Sequence, residues 1–178
     1  MQPATEQRLK RIRLLLSDVD GVLTDGRLAK LAGGDELKFF SIYDGLGIRL
    51  AQKFGIEVGF VSGRRSRQVT ARAAELGVKL LFQGIPDKVR AFETICRDKG
   101  LSAEEVAYVG DDLPDVRLLR KAGFSCAPAN AVPAVKECVD HVTSAKGGKG
   151  ALREVIELIL RAQGKWDRVL RDYEVTDG

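Results

Sequence analysis

Five short apolar runs separated by stretches of helical spacing constrain this chain more than any other feature. Ile12 to Ser17, Glu57 to Val61, Lys79 to Phe82, Val106 to Val109 and Phe124 to Ala127 read as buried strands. Gly45 to Lys53, Ser66 to Leu76, Lys88 to Lys99 and Asp115 to Ala122 read as the helices between them, with Gly55, Gly77, Gly100 and Gly123 as stop signals. Strands that alternate with helices predict an α/β fold with a doubly wound parallel sheet. The 178 residues suffice for one domain, spanning 1–178, and a body of this size buries roughly 70% of its unfolded surface.

Two segments break the rhythm. Arg27 to Leu31 and Glu36 to Phe40 flank Gly33-Gly34-Asp35, so residues 27–40 read as a β-hairpin insertion. No room remains for a separate lid, or cap, domain. Gly147 to Gly150 reads as a flexible linker leading into an amphipathic helix with Leu152, Val155, Ile156, Ile159 and Leu160 on one face, followed by a polar tail, 164–178, carrying Trp166.

Composition excludes several classes. The net charge is +4, but acids and bases are interleaved and aromatics are few, which argues against nucleic acid. Cys96, Cys126 and Cys138 are odd in number and widely spaced, and His141 is the lone histidine, so neither a disulfide framework nor a soft-metal site is expected. The cysteines read as small buried hydrophobes and His141 as structural. No apolar stretch reaches the length of a membrane span. The expectation is a reduced, cytoplasmic protein with no membrane partner.

The chemistry gathers where the apolar runs end. Asp18-Val19-Asp20 follows the first run and Gly110-Asp111-Asp112 follows the fourth. Parallel strands bring their carboxyl ends to one edge, where ligands bind. Phosphoryl transfer needs a nucleophile, a hard cation and a proton donor for the leaving alcohol. Asp18 can be the nucleophile, Asp20 the acid and then the base, and Asp111 can close a Mg²⁺ site, which needs few protein ligands. Ser62 and Lys88, at two further strand exits, can hold a phosphoryl oxygen.

The chain order Asp-x-Asp, Ser, Lys, Gly-Asp-Asp resembles the haloacid dehalogenase superfamily, with its Rossmann-like fold and aspartyl-phosphate chemistry. Asp18 to Gly26, Asp44 to Ile48, Val61 to Arg64, Gln83-Gly84, Ala107 to Leu113, Gly147 to Gly150 and Ala162 to Lys165 are similar to the 3-deoxy-D-manno-octulosonate 8-phosphate phosphatases, covering nearly the whole chain. These are cap-less, Mg²⁺-dependent, homotetrameric enzymes of lipopolysaccharide precursor synthesis, in which a neighbour's tail closes each site. The resemblance implies a small sugar acid phosphate as substrate and no nucleic acid partner. It makes Asp18 and Asp111 side-chain metal ligands and Asp20 a backbone-carbonyl ligand. Substrate contacts fall on Asp20, Ser41, Ile42, Tyr43, Asp44, Gly45, Arg49, Arg64, Arg72 and Lys88. Asp112 and Asp115 are expected to orient Lys88 or the metal's waters.

Arg64 and Arg72 lie eight residues apart and share a face if that segment is helical throughout. Their guanidinium forks suit a sugar acid carboxylate. Tyr43 departs from the family pattern, in which a more polar residue often precedes Asp-Gly, and Pro114 interrupts the Gly-Asp-Asp-Leu-x-Asp motif without removing a chemical group. Two alternatives stand beside this reading: a phosphatase of nine-carbon keto-deoxy sugar phosphates, whose members tend to carry an acid where Arg64 stands, and a receiver-like phosphoacceptor domain. A catalytically idle assembly module is a third, although every reacting group is kept.

Overall fold

The computed structural model describes residues 3–175. Its strands are β1 (Leu14–Ser17), β2 (Ala29–Lys30), β3 (Glu36–Leu37), β4 (Glu57–Ser62), β5 (Leu80–Gln83), β6 (Val106–Val109), β7 (Phe124–Ala127) and β8 (His141–Val142). Six of them form a parallel sheet in the order β5-β4-β1-β6-β7-β8, and β2 pairs with β3 as a small antiparallel hairpin. From β1 the chain first builds outward through β4 and β5, then returns to the other side of β1 for β6, β7 and β8. The strand order therefore reverses at β1, where such sheets open a ligand crevice.

The helices are α1 (Pro3–Lys10), α2 (Ile42–Lys53), α3 (Arg67–Glu75), α4 (Lys88–Lys99), α5 (Val116–Leu119), α6 (Pro133–Lys136), α7 (Ala151–Ala162) and α8 (Trp166–Asp172). Alternate residues of each strand feed opposite faces of the sheet. Leu15, Val58, Phe60, Ala107 and Val109 join Ile48, Val155 and Ile159 in one core, whereas Leu14, Leu16, Val61, Val106 and Tyr108 join Phe92, Ile95 and Leu118 in the other.

Several boundaries differ from the sequence expectation for local reasons. Helix α2 begins at Ile42 rather than Gly45 because the Ser41 hydroxyl accepts the N–H groups of Tyr43 and Asp44. The helix expected over Asp115 to Ala122 is a 3₁₀ turn, Leu113–Asp115, followed by the four-residue α5. Pro114 sits in the first turn, where its missing N–H costs little. The hairpin is shorter than its apolar pattern, with pairing limited to Ala29–Lys30 against Glu36–Leu37.

One expectation is corrected. Gly147 to Gly150 is no linker: the Gly147 N–H donates to Asn130 Oδ1 (2.6 Å) and the Gly148 N–H to the Val22 carbonyl (2.9 Å). A Cβ on Gly147 would lie 1.7 Å from the Gly21 carbonyl oxygen, so the loop is pressed against the segment that follows Asp20. The tail beyond Gly164 is helical rather than extended. It forms α8, which folds back on its own subunit with Trp166 6% and Val169 3% exposed. Arg153 and Arg161 lie 5.5 and 4.8 Å from the indole centroid, and Lys53 pairs with Asp172 at 2.7 Å. A buried tryptophan contributes about 3–5 kcal/mol by comparison with alanine, which offsets part of the entropy of ordering the tail. Residues 176–178 lie outside the described residues.

Candidate active site

Strand β1 delivers Asp18 at its carboxyl end, β6 delivers Asp111, β4 ends on Ser62, and the loop after β5 leads into α4, whose first residue is Lys88. Asp87 caps α4 through the N–H groups of Val89 and Arg90, which sets the direction in which Lys88 leaves the helix. The Lys88 ammonium lies 2.7 Å from Asp18 Oδ1 and 2.6 Å from Asp115 Oδ1. It is 9% exposed, Asp18 8% and Asp115 1%. Ionised groups so buried persist only when paired.

Carboxylate oxygens of Asp18, Asp111 and Asp115 lie within 4.8 Å of one another. Burial, and then the neighbouring Asp115, push the Asp18 carboxyl up to about 6 even though Lys88 opposes them. Burial and the charges of Asp18 and Asp115 push Asp111 up to about 7. Asp111 Oδ1 is buried without a hydrogen-bond partner. An orphaned carboxylate oxygen beside two further acids, with Lys88 as the neighbouring cation, fits a hard divalent ion with oxygen ligands.

Asp115 is less free to ligate than its neighbours. Its Oδ1 accepts from Lys88 and from the Tyr108 hydroxyl (2.5 Å), and its Oδ2 accepts the N–H groups of Asp111 (3.1 Å) and Asp112 (3.3 Å). It thus ties Lys88 to the loop carrying Asp111. Asp112, expected to orient Lys88 or the metal's waters, caps the 3₁₀ turn through the Leu113 N–H at 2.7 Å and is solvent-exposed. Its side chain makes no hydrogen bond to Lys88.

Gly21 explains why the Asp18 loop can approach β6 so closely. Its φ is +99°, and a Cβ there would lie 1.9 Å from Asp111 Oδ2. Asn130 ties this loop down, donating from Nδ2 to the Gly21 carbonyl at 3.2 Å while it holds Gly147. Ser62, 3% exposed, accepts the Arg64 N–H at 3.1 Å.

The second acid of the motif, Asp20, turns toward the hairpin. Its Oδ1 pairs with the Lys38 ammonium, and Arg64 Nε lies 3.6 Å from its Oδ2. Glu36 is 3.6 Å from Lys38 and 3.3 Å from Arg64. Arg64 and Arg72 do not share a helix face. Helix α3 begins only at Arg67, with Ser66 as its extended first cap, so Arg64 stays beside Asp20. Arg72 instead donates to the Ser41 carbonyl (3.2 Å) and pairs with Glu75 (2.8 Å).

The remaining expected substrate residues form a second group around α2. Ile42, Gly45, Arg49 and Arg72 line one groove of ≈ 220 Å³, and Ser41, Ile42 and Tyr43 line another of ≈ 500 Å³ with Arg27 and Lys149. Asp44 is 2% exposed and its carboxylate accepts the N–H groups of Gly150 and Arg153, which anchors the start of α7. Among the described residues, no hydrogen bond or ion pair joins this group to Asp18, Asp20, Lys88 or Asp111. Sequence reasoning also passed over Lys38, Tyr108 and Asn130. The alternation Glu36, Leu37, Lys38, Phe39 is the one signal that points to Lys38; Tyr108 reads as core, and Asn130 as loop.

A profile of haloacid dehalogenase-like hydrolases matches residues 81–155. The chain is 44% identical over 167 residues, 94% of its length and 89% of the relative's, to the 3-deoxy-D-manno-octulosonate 8-phosphate phosphatase KdsC of Salmonella typhimurium. This chain belongs to the 3-deoxy-D-manno-octulosonate 8-phosphate phosphatase family. Among solved structures, the phosphatase of that family from Moraxella catarrhalis, in complex with magnesium ion, phosphate ion and a KDO molecule, superposes with a TM-score of 0.94 at 38% identity, covering 97% of this chain and 99% of that one. The cobalt-bound family member from Haemophilus influenzae gives 0.87 at 45% identity, covering 89% and 93%. The superfamily resemblance, the parallel sheet and the hydrolase class expected from the motifs are thereby borne out.

Proposed function

We propose that this protein is a Mg²⁺-dependent phosphatase, built as one domain over 1–178, that hydrolyses 3-deoxy-D-manno-octulosonate 8-phosphate to the free sugar acid and inorganic phosphate. It works in the cytoplasm, in lipopolysaccharide precursor synthesis. The observation that carries the reading is Lys88, buried 2.7 Å from Asp18 and 2.6 Å from Asp115 beside the unpartnered Asp111 oxygen. Family membership supports the substrate. Among the described residues no helix is long and apolar enough to cross a membrane.

The side chains of Asp18 and Asp111 and the main-chain carbonyl of Asp20 would hold magnesium, which when bound would neutralise charge on the phosphoryl oxygens. Lys88 fixes Asp18 through Oδ1, which leaves the other oxygen to attack phosphorus. As the bond from phosphorus to the sugar oxygen breaks, Asp20 gives that oxygen its proton. Asp20, now a carboxylate, takes a proton from the water that attacks the aspartyl phosphate, and the bond from phosphorus to Asp18 breaks. Ser62 and Lys88 bind phosphoryl oxygens. Arg64, paired with Glu36 and beside Asp20 yet with its side chain 52% exposed, receives the sugar acid carboxylate on the solvent side of its guanidinium. Asp115 positions Lys88 and the Asp111 loop.

The second group acts across a subunit boundary. Phe39, Ile42 and Tyr43 are 70, 76 and 67% exposed, and Leu31 and Leu37 extend the same strip along the hairpin. Apolar surface of this kind marks a contact between chains. The assembly is a homotetramer in which Ser41 to Tyr43, Arg49 and Arg72 complete a neighbour's substrate pocket, while the buried Asp44 anchors α7 beneath them. Phosphate release from eight- and nine-carbon keto-deoxy sugar phosphates, with Mg²⁺ and with EDTA, tests the function. Mg²⁺-dependent turnover fastest on the eight-carbon substrate is expected; no release from it, or faster turnover of the nine-carbon compound, would overturn the assignment.

A further inference from the structure

The hairpin buries a lysine against the site. Along β3 and the residues after it, Leu37 and Phe39 are 44 and 70% exposed, while Lys38 between them is 7% exposed. A period of two sends the apolar side chains outward and the charged ones toward the site. The Lys38 side chain retains only 1% of its exposure, so its ammonium cannot meet a substrate. Its partners are Asp20 Oδ1 and, at 3.6 Å, Glu36. A lysine this buried is costly unless its charge is matched; Glu36 matches it when Asp20 carries its proton, and Asp20 joins the match in the carboxylate state that activates water.

The geometry points to Lys38 as a positioning residue that fixes the Asp20 carboxylate by one oxygen and leaves Oδ2 directed at the reacting bond. This rests on the reading of Asp20 as the acid and base. With Oδ1 committed to Lys38, rotation of the carboxylate is restricted, and Arg64 Nε at 3.6 Å flanks the oxygen left for the proton. The hairpin is thus part of the catalytic apparatus as well as an edge for assembly. General acid–base groups lose about a hundredfold in rate when displaced by an ångström, which sets the scale of the effect.

Lys38→Met keeps the aliphatic stem and removes the ammonium. With the sugar acid phosphate, kcat is expected to fall about a hundredfold while KM moves by less than about threefold. With p-nitrophenyl phosphate, whose leaving group needs no proton, the variant should release a stoichiometric burst of nitrophenolate and then turn over slowly, because only the water-activating step still needs Asp20. Mg²⁺ affinity by calorimetry should match the parent. In the Asp20→Asn background, Lys38→Met should add no further loss. Should Lys38→Met fail to fold, Lys38→Gln carries the same comparison. An unchanged kcat, or equal losses in the parent and Asp20→Asn backgrounds, would overturn the proposal. Full activity in Asp20→Asn itself would instead overturn the assignment of Asp20.

Discussion

The carboxyl ends of β1 and β6 and the rim formed by the hairpin and the start of α2 invert the usual rules of burial in opposite senses. In the first, Asp18, Lys88 and Asp115 are charged side chains less than a tenth exposed. In the second, Phe39, Ile42 and Tyr43 are apolar side chains more than two-thirds exposed. Each inversion carries a free-energy cost, and each cost marks a task. Buried charges interact strongly because little water screens them, so a small displacement there changes chemistry. Exposed apolar groups gain only when another surface covers them, so changes there should alter assembly first.

The largest expected effect lies in the buried region. Asp18→Asn is nearly isosteric but removes the nucleophilic charge, and kcat should fall on the order of 10⁴-fold or more with the fold intact by circular dichroism. Next comes Lys88→Met, which leaves Asp18 and Asp115 buried without their cation; removal of one partner from a buried pair costs about 3–5 kcal/mol, so denaturant unfolding should show a loss of that order along with inactivity.

Arg64→Ala sits where the regions meet. It should lower kcat/KM for the sugar acid phosphate about ten- to a hundredfold more than for p-nitrophenyl phosphate, which has no carboxylate to pair. Equal losses on both would place Arg64 at the phosphate.

A smaller, pH-dependent effect comes from Asp18 and Asp111. Their carboxyls are raised from 3.8 to about 6 and about 7 in the fold, so the folded state holds protons that the unfolded chain releases. That contribution is full below about 3.8 and is lost as pH rises through 6 and 7. In EDTA, thermal stability should therefore decline across that window, and Asp111→Asn should flatten the decline. Mg²⁺ should stabilise most at the alkaline end, where both carboxylates are charged. A stability that rises with pH by the same amount in parent and Asp111→Asn would contradict the burial argument.

Least disturbed in stability should be the rim. Phe39→Asp is expected to stay within about 0.5 kcal/mol of the parent in monomer stability while it dissociates the assembly by sedimentation. Unchanged sedimentation would show that this strip is not the contact.

The same contrast decides what could be read from the sequence. Asp18, Ser62 and Asp111 were legible because each ends an apolar run, and in a parallel sheet run ends converge on one edge. Lys88 was legible because Pro86-Asp87 marks a helix start. Tyr108 was not, since a strand residue with a buried ring looks like core until its hydroxyl is seen 2.5 Å from Asp115. Gly147 looked like a linker because the sequence does not show that the Gly21 carbonyl lies where its side chain would be. The tail beyond Gly164 is polar by composition, yet Trp166 and Val169, three residues apart, supply the apolar face that returns α8 to the core. Local pattern therefore located the strand exits, and packing between distant segments accounts for what it missed.

The account turns on Asp18 taking the phosphoryl group, and trapping that adduct tests it most directly. In Asp20→Asn the step that hydrolyses the aspartyl phosphate lacks its base, while p-nitrophenyl phosphate still supplies a leaving group that needs no acid. Rapid mixing with this substrate and Mg²⁺, denaturation, borohydride reduction and peptide mass spectrometry should find homoserine in place of Asp18, in proportion to the nitrophenolate released. Nitrophenolate release with Asp18 unmodified would contradict the account.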